Sequence, residues 1–502
     1  MMMLILDVLL FSQICHLLQL ILSPEPAPVL FQAKSMYKRI LHIAIALAFF
    51  HLANAQTLHQ LSLEQAVEMA LQNAEQLKNL RLDVEIQAFN NREVTGMMYP
   101  QISASGQGTY YTNLPQIQFP SSNFPIYQVL QDEGVRDGNG NPITTGSATT
   151  TSQALSFVAP LNLQFGVSVN QLLFQPDIFI ALIAKETVLQ YARDNLKVSE
   201  TGVRESVQKA YYAVLIAEEQ RRIMQETSTR LDRLSAEMTE MFKSGFVEKL
   251  DIDKLTVSRN NTNTAINQLS NAINISKSLL KNTIGLPIAD EVVLTEKLDT
   301  DALKAMLAEI PDGFNYEIRS EIALLNTARK LQEIDLRRQK YAYLPSVSAF
   351  YQLQRAGQRN PDFALPGESP WFWFTTGLVG LSVNQPIFDG LQARHRISQA
   401  ELKILKVDNN ITQLKRAIDM ELQIARNSLS NALLNLDVQL RNSDLAREVF
   451  EITKRKYEAG LGSSLELIQA DTDLQQSQGA YFQALYDCYV AQVALKKALG
   501  RL

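Results

Sequence analysis

Cysteine and histidine are scarce in this chain of 502 residues, which contains 2 cysteines and 5 histidines. Beyond residue 55, where a cleavage site is predicted below, only Cys488, His59 and His395 remain. A single cysteine cannot form an intramolecular disulfide. Two histidines give little material for histidine-rich metal sites or for Ser-His-Asp and Cys-His catalytic groups. The composition therefore disfavours an enzyme, and we expect no catalytic residues and no metal site.

A surplus of positive charge is also missing, because the formal net charge is -5 and the sequence pI is about 5.7. Proteins that bind nucleic acids usually carry a basic surplus. The sequence also contains no phosphate-binding loop and no glycine-rich nucleotide fingerprint. We therefore expect no nucleic-acid partner and no cofactor.

The N-terminal segment has the pattern of a secretory signal. Residues 36–55 contain a basic start, an apolar run and Ala53-Asn54-Ala55, which forms an A-x-A cleavage site. Residues 1–35 have two interpretations, an over-extended start with Met36 as the initiator or an additional membrane anchor. The anchor is disfavoured by the polar residues inside its apolar run, which are Asp7, Gln13, His16 and Gln19.

Proline is absent from two long parts of the chain, residues 177–286 and residues 387–502. Proline breaks helices, because it lacks the backbone N–H and clashes with the preceding turn. The first of these tracts is rich in good helix formers, and its apolar residues recur at helical spacing. They are Leu196, Val203, Val207, Ala210 and Val214. Long helices are therefore predicted in both tracts.

The proline-containing segments alternate with period two instead. Every odd position from Leu155 to Val169 is apolar, and most even positions are polar or small. This predicts a strand with one apolar and one polar face. Three similar strands are predicted at PQISASGQGTYY, PSVSAFYQLQ and WFWFTTGLVGLSVNQ. Trp371 and Trp373 begin the last of them, where aromatic residues fit a membrane-interface girdle or, alternatively, the core of a soluble sheet.

The chain contains an internal duplication. VSVNQLLF at 167–174 is repeated as LSVNQPIF at 381–388, and MFKSGFVEKLDI at 241–252 parallels KYEAGLGSSLEL at 456–467. A duplicated unit of helix, strand, loop, strand, long helix, turn and shorter helix explains this order. We place the first repeat at residues 56–285, a linker at 286–314 and the second repeat at 315–502. An insertion at 112–154 distinguishes the first repeat and is expected to face outside.

Helix lengths and strand number then constrain the assembly. The helix predicted from residue 177 to residue 243 would be ~100 Å long. The helices predicted before and after it, at about 61–98 and about 250–284, would be ~58 Å and ~50 Å long. Two short helices stacked end to end therefore match one long helix, with all strands at one end. Four amphipathic strands cannot close a barrel in lipid, where open edges leave backbone groups unsatisfied. Several copies are therefore expected to share one barrel, with eight strands from two copies or twelve from three.

These features resemble the TolC-type outer-membrane efflux proteins over residues 57–502. The paired strand starts YPQIS and LPSVS, the SVNQ corners and the turns KSGFVEKLDI and EAGLGSSLEL carry the resemblance. It implies an α+β membrane protein: a homotrimer with a shared twelve-stranded outer-membrane β-barrel above a periplasmic α-barrel of long antiparallel helices. It also implies the outer membrane of a Gram-negative bacterium as the location. An inner-membrane transporter coupled through a periplasmic adaptor protein would supply the energy.

The resemblance also implies roles for the two turns. Gly245 and Gly460 match the helix-hairpin turns where adaptors dock, and glycine suits a tight turn because it accepts positive φ. The flanking tip residues are Ser244, Phe246, Ala459 and Leu461. Asp251 and Glu466 align with acidic residues of the pore aperture, where three copies would form rings that favour cations. An alternative for each is a solvated carboxylate at a helix start. Lys254 and Gln469 stand where a second acidic ring can occur, which weakens that expectation.

Three functions are compatible with these patterns to different degrees. The favoured one is the passive exit duct of a tripartite efflux system that exports small molecules. The duct of a type I protein secretion system is an alternative with nearly the same architecture. A structural coiled-coil fibre or adhesin is a third, but it leaves the duplication and the paired turns unexplained. The exported substrate and the cognate pump are not encoded in any motif recognised here.

Overall fold

The computed structural model describes residues 58–120, 125–143, 152–155, 158–300, 303–304, 313–359 and 371–502. The predicted signal at 36–55, the segment 1–35, and residues 121–124 and 144–151 of the insertion lie outside the described residues. The chain divides into two units, which are described separately. Among the described residues, no helix combines the length and the apolar composition needed to cross a membrane.

The smaller unit contains a pair of short parallel strands. Strand β1 (Leu58–Leu61) pairs with a strand at Glu291–Leu294, and His59 Nε2 lies 3.3 Å from Asp290 Oδ2. The second of these strands falls within the segment 286–314 that the sequence marks as a linker. Both strands have four residues and are separated by more than 200 positions, so no local pattern indicates their pairing.

The larger unit begins with helices and strands that alternate along the chain. Helices α1 (Leu63–Asn73) and α2 (Glu75–Gly96) are followed by strand β2 (Gln101–Tyr110). The insertion contributes β3 (Ile117–Pro120), α3 (Pro125–Asp132) and β4 (Ser152–Leu155), and β3 pairs with β4. Strand β5 (Leu161–Phe174) leads into helices α4 (Pro176–Lys243) and α5 (Lys249–Ile284).

The second repeat follows the same order without the insertion. After strand β6, the Glu291–Leu294 strand, a short 3-10 turn at Tyr316–Ile318 precedes α6 (Ser320–Tyr341). Strands β7 (Ser346–Arg359) and β8 (Phe372–Asn384) come next. Helices α7 (Gln392–Glu458) and α8 (Ser464–Ala498) complete the chain.

Two expected elements differ in detail from the structure. The helix predicted from residue 61 to residue 98 is interrupted at Ala74, whose ψ of 122° is not helical. The strand predicted from Leu155 to Val169 is interrupted before β5, in a segment that includes Pro160. Proline cannot donate a hydrogen bond to a neighbouring strand, which explains why β5 starts after it.

The long helices are held by apolar seams and by buried polar contacts. Helix α4 packs against α1, α2, α5, α6 and α8, whereas α7 packs against α6 and α8. Pro176 occupies the first turn of α4, where its missing N–H has no helical partner to lose. Near the turns, one cluster of buried side chains joins helices α4, α5, α7 and α8. It contains Leu231, Leu234, Met238, Leu255, Phe450, Tyr457, Leu467, Ala470 and Leu474.

Candidate functional site

The four long strands form one antiparallel sheet in the order β2-β5-β7-β8. Strands β2 and β8 are its edges, and each pairs on one side among the described residues. The helices leave from one end of this sheet, since α4 follows β5 directly and α6 precedes β7. The sheet therefore has a helix end and a far end, and its two edge strands run antiparallel to each other.

One face of the sheet is apolar over most of its area. Successive side chains of a strand point to opposite faces, so the register assigns each residue to a face. The apolar side chains of this face are Ile102, Ala104, Tyr110, Leu161, Leu163, Phe165, Val167, Val169, Val347, Ala349, Tyr351, Leu353, Trp373, Val379, Leu381 and Val383. Polar exceptions are Gln171 and Thr375, and the charged exceptions are Arg355 and Arg359.

The opposite face is polar and carries no ionisable side chain on the described strands. Its amides and hydroxyls are Gln101, Ser103, Ser105, Gln107, Thr109, Asn162, Gln164, Ser168, Asn170, Ser346, Ser348, Gln352, Gln354, Gln358, Thr376, Ser382 and Asn384. The large apolar residues on this face are Leu172, Phe350, Phe372, Phe374 and Leu378. This sheet can therefore separate an apolar medium from water, and the described strands place no charged side chain on the face toward water.

Trp371 and Trp373 lie at the far end of the sheet, at the start of β8. Their ring centroids are 5.6 Å apart, and Trp373 also stacks on Phe165 at 6.4 Å. The indole of Trp373 covers Gly357 so closely that a Cβ there would lie 2.8 Å from it. These contacts fix the Trp373 ring flat on the apolar face.

The turn between α4 and α5 is closed by Gly245. Its φ of 79° allows the backbone of Phe246 to donate to the carbonyl of Met241 at 2.9 Å, while Gly245 donates to Phe242 at 2.9 Å. This pattern caps the orphan carbonyls of a helix end and needs a left-handed residue. Ser244 is the capping residue that follows α4, and it donates hydrogen bonds back to the helix through its backbone N–H and its hydroxyl.

The turn between α7 and α8 repeats this geometry. Gly460 has φ of 72°, Leu461 donates to the carbonyl of Lys456 at 2.9 Å, and Ala459 is the capping residue that follows α7. The side chains that follow the glycines project into solvent, with Phe246 79% exposed and Leu461 82% exposed. Each turn therefore presents a large apolar side chain at its apex.

A second exposed apolar residue stands beside each apex. Leu250 is 56% exposed and Leu465 is 61% exposed, four residues beyond Phe246 and Leu461 respectively. The duplication thus places two equivalent apolar pairs at the two turns. Leu250 and Leu465 were not predicted as site residues, although each lies at the same distance beyond the glycine of its turn and the repeat therefore indicated them.

Asp251 and Glu466 occupy the same position in α5 and α8, but their surroundings differ. Asp251 accepts a hydrogen bond from the Ser464 hydroxyl and one from the backbone of Glu248, within a capping box. Burial raises the pKa of Tyr457, and the negative charge of Asp251 raises it further. Because Ser464 is the first residue of α8, its hydrogen bond to Asp251 links the α4–α5 pair of helices to the α7–α8 pair.

Glu466 is exposed, and its backbone N–H is capped by the Ser463 hydroxyl at 3.2 Å. No hydrogen bond or ion pair of its carboxylate is found within the described parts of the chain. Lys254 is half-buried and Gln469 is exposed one turn further along the two helices. The two acidic positions predicted as equivalent are thus unequal, one engaged in a contact and one free.

A buried ion pair links α4 to α8 near the turns, and it was not predicted from the sequence. Arg230 on α4 donates to Asp471 on α8 at 3.0 Å, and the Asp471 side chain is 2% exposed. The Arg230 guanidinium also lies 4.7 Å from the centre of the Phe450 ring on α7. At the equivalent repeat positions stand Leu445 and Thr256, so the duplication gave no signal for this pair.

Comparison with known proteins agrees with this architecture. Residues 322–501 match the family model described as outer membrane efflux protein. The toluene efflux pump outer membrane protein TtgC of Pseudomonas putida is 23% identical over 464 residues, which cover 89% of this chain and 84% of TtgC. Outer membrane efflux protein BepC of Brucella suis biovar 1 is 23% identical over 209 residues, and the chain spans 42% of its length.

Solved structures with the same fold include CusC and the outer membrane channel CmeC of Campylobacter jejuni. CusC has a TM-score of 0.64 at 16% identity, covering 87% of this chain and 91% of that chain. CmeC has a TM-score of 0.61 at 16% identity, covering 87% of this chain and 85% of that chain. The chain is therefore similar to outer membrane efflux proteins in the sequence of its second repeat, and it shares the fold of the solved outer membrane channels.

Proposed function

We propose that three copies of this chain form a passive exit duct for small molecules, located in the outer membrane and extending into the periplasm. The observation that carries the proposal is the sheet itself, which among the described residues has one apolar face, one uncharged polar face and two unpaired edges. In lipid, unpaired backbone groups cost several kcal/mol each, so such a sheet must close. Because β2 and β8 are antiparallel, β8 of one copy is suited to pair with β2 of the next.

Three copies give twelve strands from the four that each contributes. The apolar face then contacts lipid and the uncharged polar face lines the pore. Trp371 and Trp373 then belong to the aromatic girdle at the outer membrane interface, because they lie at the end of the sheet away from the helices. A duct with this wall transmits solutes without binding them through charge and performs no catalysis of its own.

The helices also offer unpaired edges for side-by-side assembly. Helix α7 carries a stripe of exposed apolar residues at helical spacing, which are Leu434, Val438, Leu445, Val449 and Ile452. On the other side of the unit, exposed apolar residues are found on α2 and α5. They are Leu82, Ile86, Phe89, Val257, Ile275 and Leu279. Joining α7 of one copy to α2 and α5 of the next would bury both sets and extend the duct as an α-barrel.

The two turns provide the site for a periplasmic adaptor that links the duct to an inner-membrane transporter. Phe246 and Leu461, 79% and 82% exposed, are the apolar anchors that such a partner would cover. Ser244, Gly245, Ala459 and Gly460 shape the turns that present them. Export of small molecules is supported by the relatives, since TtgC is named for toluene efflux and ArpC of Pseudomonas putida for antibiotic efflux.

The aperture between the turns carries the two acidic residues in different roles. Glu466 supplies the free carboxylates, three in the assembly, that favour cations. Asp251 instead holds the α5 turn to the α8 turn through Ser464. The cation preference therefore depends mainly on Glu466, and the width of the closed aperture depends mainly on Asp251.

Planar-bilayer conductance of the purified protein tests the proposal. Wild type is compared with the Asp251→Ala, Glu466→Ala double variant and with a Glu186→Ala, Glu226→Ala control, which removes two exposed carboxylates far from the turns. We expect discrete steps that become larger and less cation-selective in the turn variant and stay unchanged in the control. Unchanged steps in the turn variant would retain the duct and reject the acidic aperture. No conductance in any of the three proteins would reject the duct.

A further inference from the structure

Two arginines interrupt the apolar face of the sheet near its far end. Arg355 and Arg359 both belong to β7, and the register places Arg355 opposite Phe165 on β5 and Thr375 on β8. Arg359 lies opposite Leu161. Four residues along a strand correspond to ~13 Å, so the two charges stand roughly that far apart on one face.

Neither guanidinium has a carboxylate partner among the described residues. The positions next to Arg355 and Arg359 on this face are aromatic, aliphatic or hydroxyl-bearing. Arg355 instead lies with its Cζ 5.3 Å from the centre of the Trp373 ring. The Nε atom of Arg359 is buried and has no hydrogen-bond partner. Within the described part of the chain, two positive charges and at least one N–H donor are thus left without an acidic partner on a surface that is mostly apolar.

The depth of this pair on the sheet is informative. A cation on the lipid-facing side of a barrel is costly at the bilayer midplane and costs little near the interface. Arg355 and Arg359 stand beside Trp371 and Trp373, at the level of the outer interface. At that level, the groups available to neutralise an arginine are lipid headgroups. The planar guanidinium is well suited to a phosphate, which it binds through two parallel hydrogen bonds.

We propose that Arg355, Arg359 and Trp373 form a binding site for a phosphorylated lipid headgroup on the outer surface of the barrel. This inference rests on the proposed function, because the shared barrel is what turns the apolar face toward lipid. The arginines contact phosphate oxygens, and the indole, lying flat over Gly357, supports the headgroup between them. Toward the helix end of the sheet, Val167 and Leu353 follow Phe165 and Arg355 and continue the apolar surface toward the acyl chains. A free phosphate ion would use the guanidinium groups and leave this apolar surface uncovered.

Both tryptophans of the chain stand at this site, so intrinsic fluorescence reports on it directly. The protein, assembled in an uncharged detergent, is titrated with lipid A, with chemically dephosphorylated lipid A and with inorganic phosphate. We expect a saturable change in fluorescence with lipid A and a midpoint at least tenfold higher with either of the other two. A similar midpoint for dephosphorylated lipid A, or for inorganic phosphate, would overturn the assignment of a phosphorylated lipid.

Substitutions then locate the site. The Arg355→Gln, Arg359→Gln variant should raise the lipid A midpoint by about tenfold or more, and the Arg355→Lys, Arg359→Lys variant should restore part of the loss. An Arg193→Gln, Lys197→Gln control removes two positive charges from an exposed helix face and should leave the midpoint unchanged. Equal midpoints for wild type and the arginine-to-glutamine variant would overturn the inference.

Conductance measured on the same preparations separates this inference from the proposed function. Conducting wild-type protein that shows no response to lipid A would overturn the lipid site and leave the duct intact. The Arg355→Gln, Arg359→Gln variant should conduct like wild type, because both side chains lie on the face opposite to the polar one.

Discussion

Replacing Arg230 with alanine is expected to loosen the packing between the two pairs of helices above the turns. The substitution leaves the Asp471 carboxylate, which is 2% exposed, without the cation that lies 3.0 Å away. Breaking a buried ion pair by removing one partner typically costs about 3–5 kcal/mol, since the remaining charge stays desolvated. Two features favour the lower end of this range. Gln475 still donates to Asp471 at 2.6 Å, and the Arg230 side chain is 27% exposed, so water can enter its place.

A loss of about 3 kcal/mol corresponds to local opening that is roughly a hundredfold more frequent, because 1.4 kcal/mol equals a factor of ten. Hydrogen exchange of the backbone amides from Leu467 to Leu474 measures this opening, as these residues surround Asp471 in the buried cluster. The expected result for Arg230→Ala is exchange accelerated by about two orders of magnitude in that segment.

The matched control is Arg259→Ala, which removes the same side chain from a solvent-accessible pair. Arg259 lies 3.6 Å from Asp232, whose side chain is 58% exposed. Such a pair contributes about 0–1 kcal/mol, so exchange should change by less than roughly fivefold. Equal acceleration in the two variants would refute the reasoning that burial of Asp471 sets the cost.

Two further predictions concern stability. Burial alone would raise the pKa of Glu205, but hydrogen bonds from Lys209 and Lys497 outweigh it and leave the pKa lowered. The ionised Glu205 therefore stabilises the fold fully at pH values above its ordinary pKa of 4.5, and this stabilisation is lost as the pH falls through the lowered pKa. The thermal midpoint of the wild type should fall over this pH range, and that of Glu205→Gln should fall by a smaller amount. Gly285→Ala should lower the thermal midpoint, because φ is 74° and a Cβ would lie 2.6 Å from the Asn73 carbonyl, with a cost of at least about 1–2 kcal/mol. Gly202→Ala, inside α4 with open space around it, should leave the midpoint equal or higher; a lower midpoint for Gly202→Ala than for Gly285→Ala would contradict this explanation.

The architecture of the larger unit was predictable from sequence because it is built from long periodic elements. Period-two alternation indicated the strands that became β2, β5, β7 and β8, and proline-free tracts indicated α4 and α7. The duplication added the turns, since Gly245 and Gly460 stand equally far from the closing glycines Gly285 and Gly500. Helix α5 starts within a residue of its expected position for the same reason.

The features that escaped prediction depend on contacts between distant residues. The β1–β6 pair joins two strands of four residues each, too short to show a period. Arg230 and Asp471 are 241 positions apart and have no counterpart in the other repeat. Asp251 and Glu466 were predicted to be equivalent, and they differ because Ser464 reaches Asp251 while the residue equivalent to Ser464 in the first repeat is Lys249. The roles of the turn residues and of Trp371 and Trp373 stay predictions.

Cross-linking of the two sheet edges tests the central claim that copies share one barrel. Cysteines are introduced at Gln107 on β2 and Thr376 on β8, both on the polar face, and a bis-maleimide is applied to membranes that contain the protein. The native Cys488 is buried and burial raises its pKa to about 11, so it should not react. The control places the two cysteines at Gln164 and Gln354 on the neighbouring strands β5 and β7, where a cross-link stays within one chain.

We expect covalent species of two and three chains for the edge pair and single chains for the control. Single chains for both pairs would contradict a barrel closed between copies.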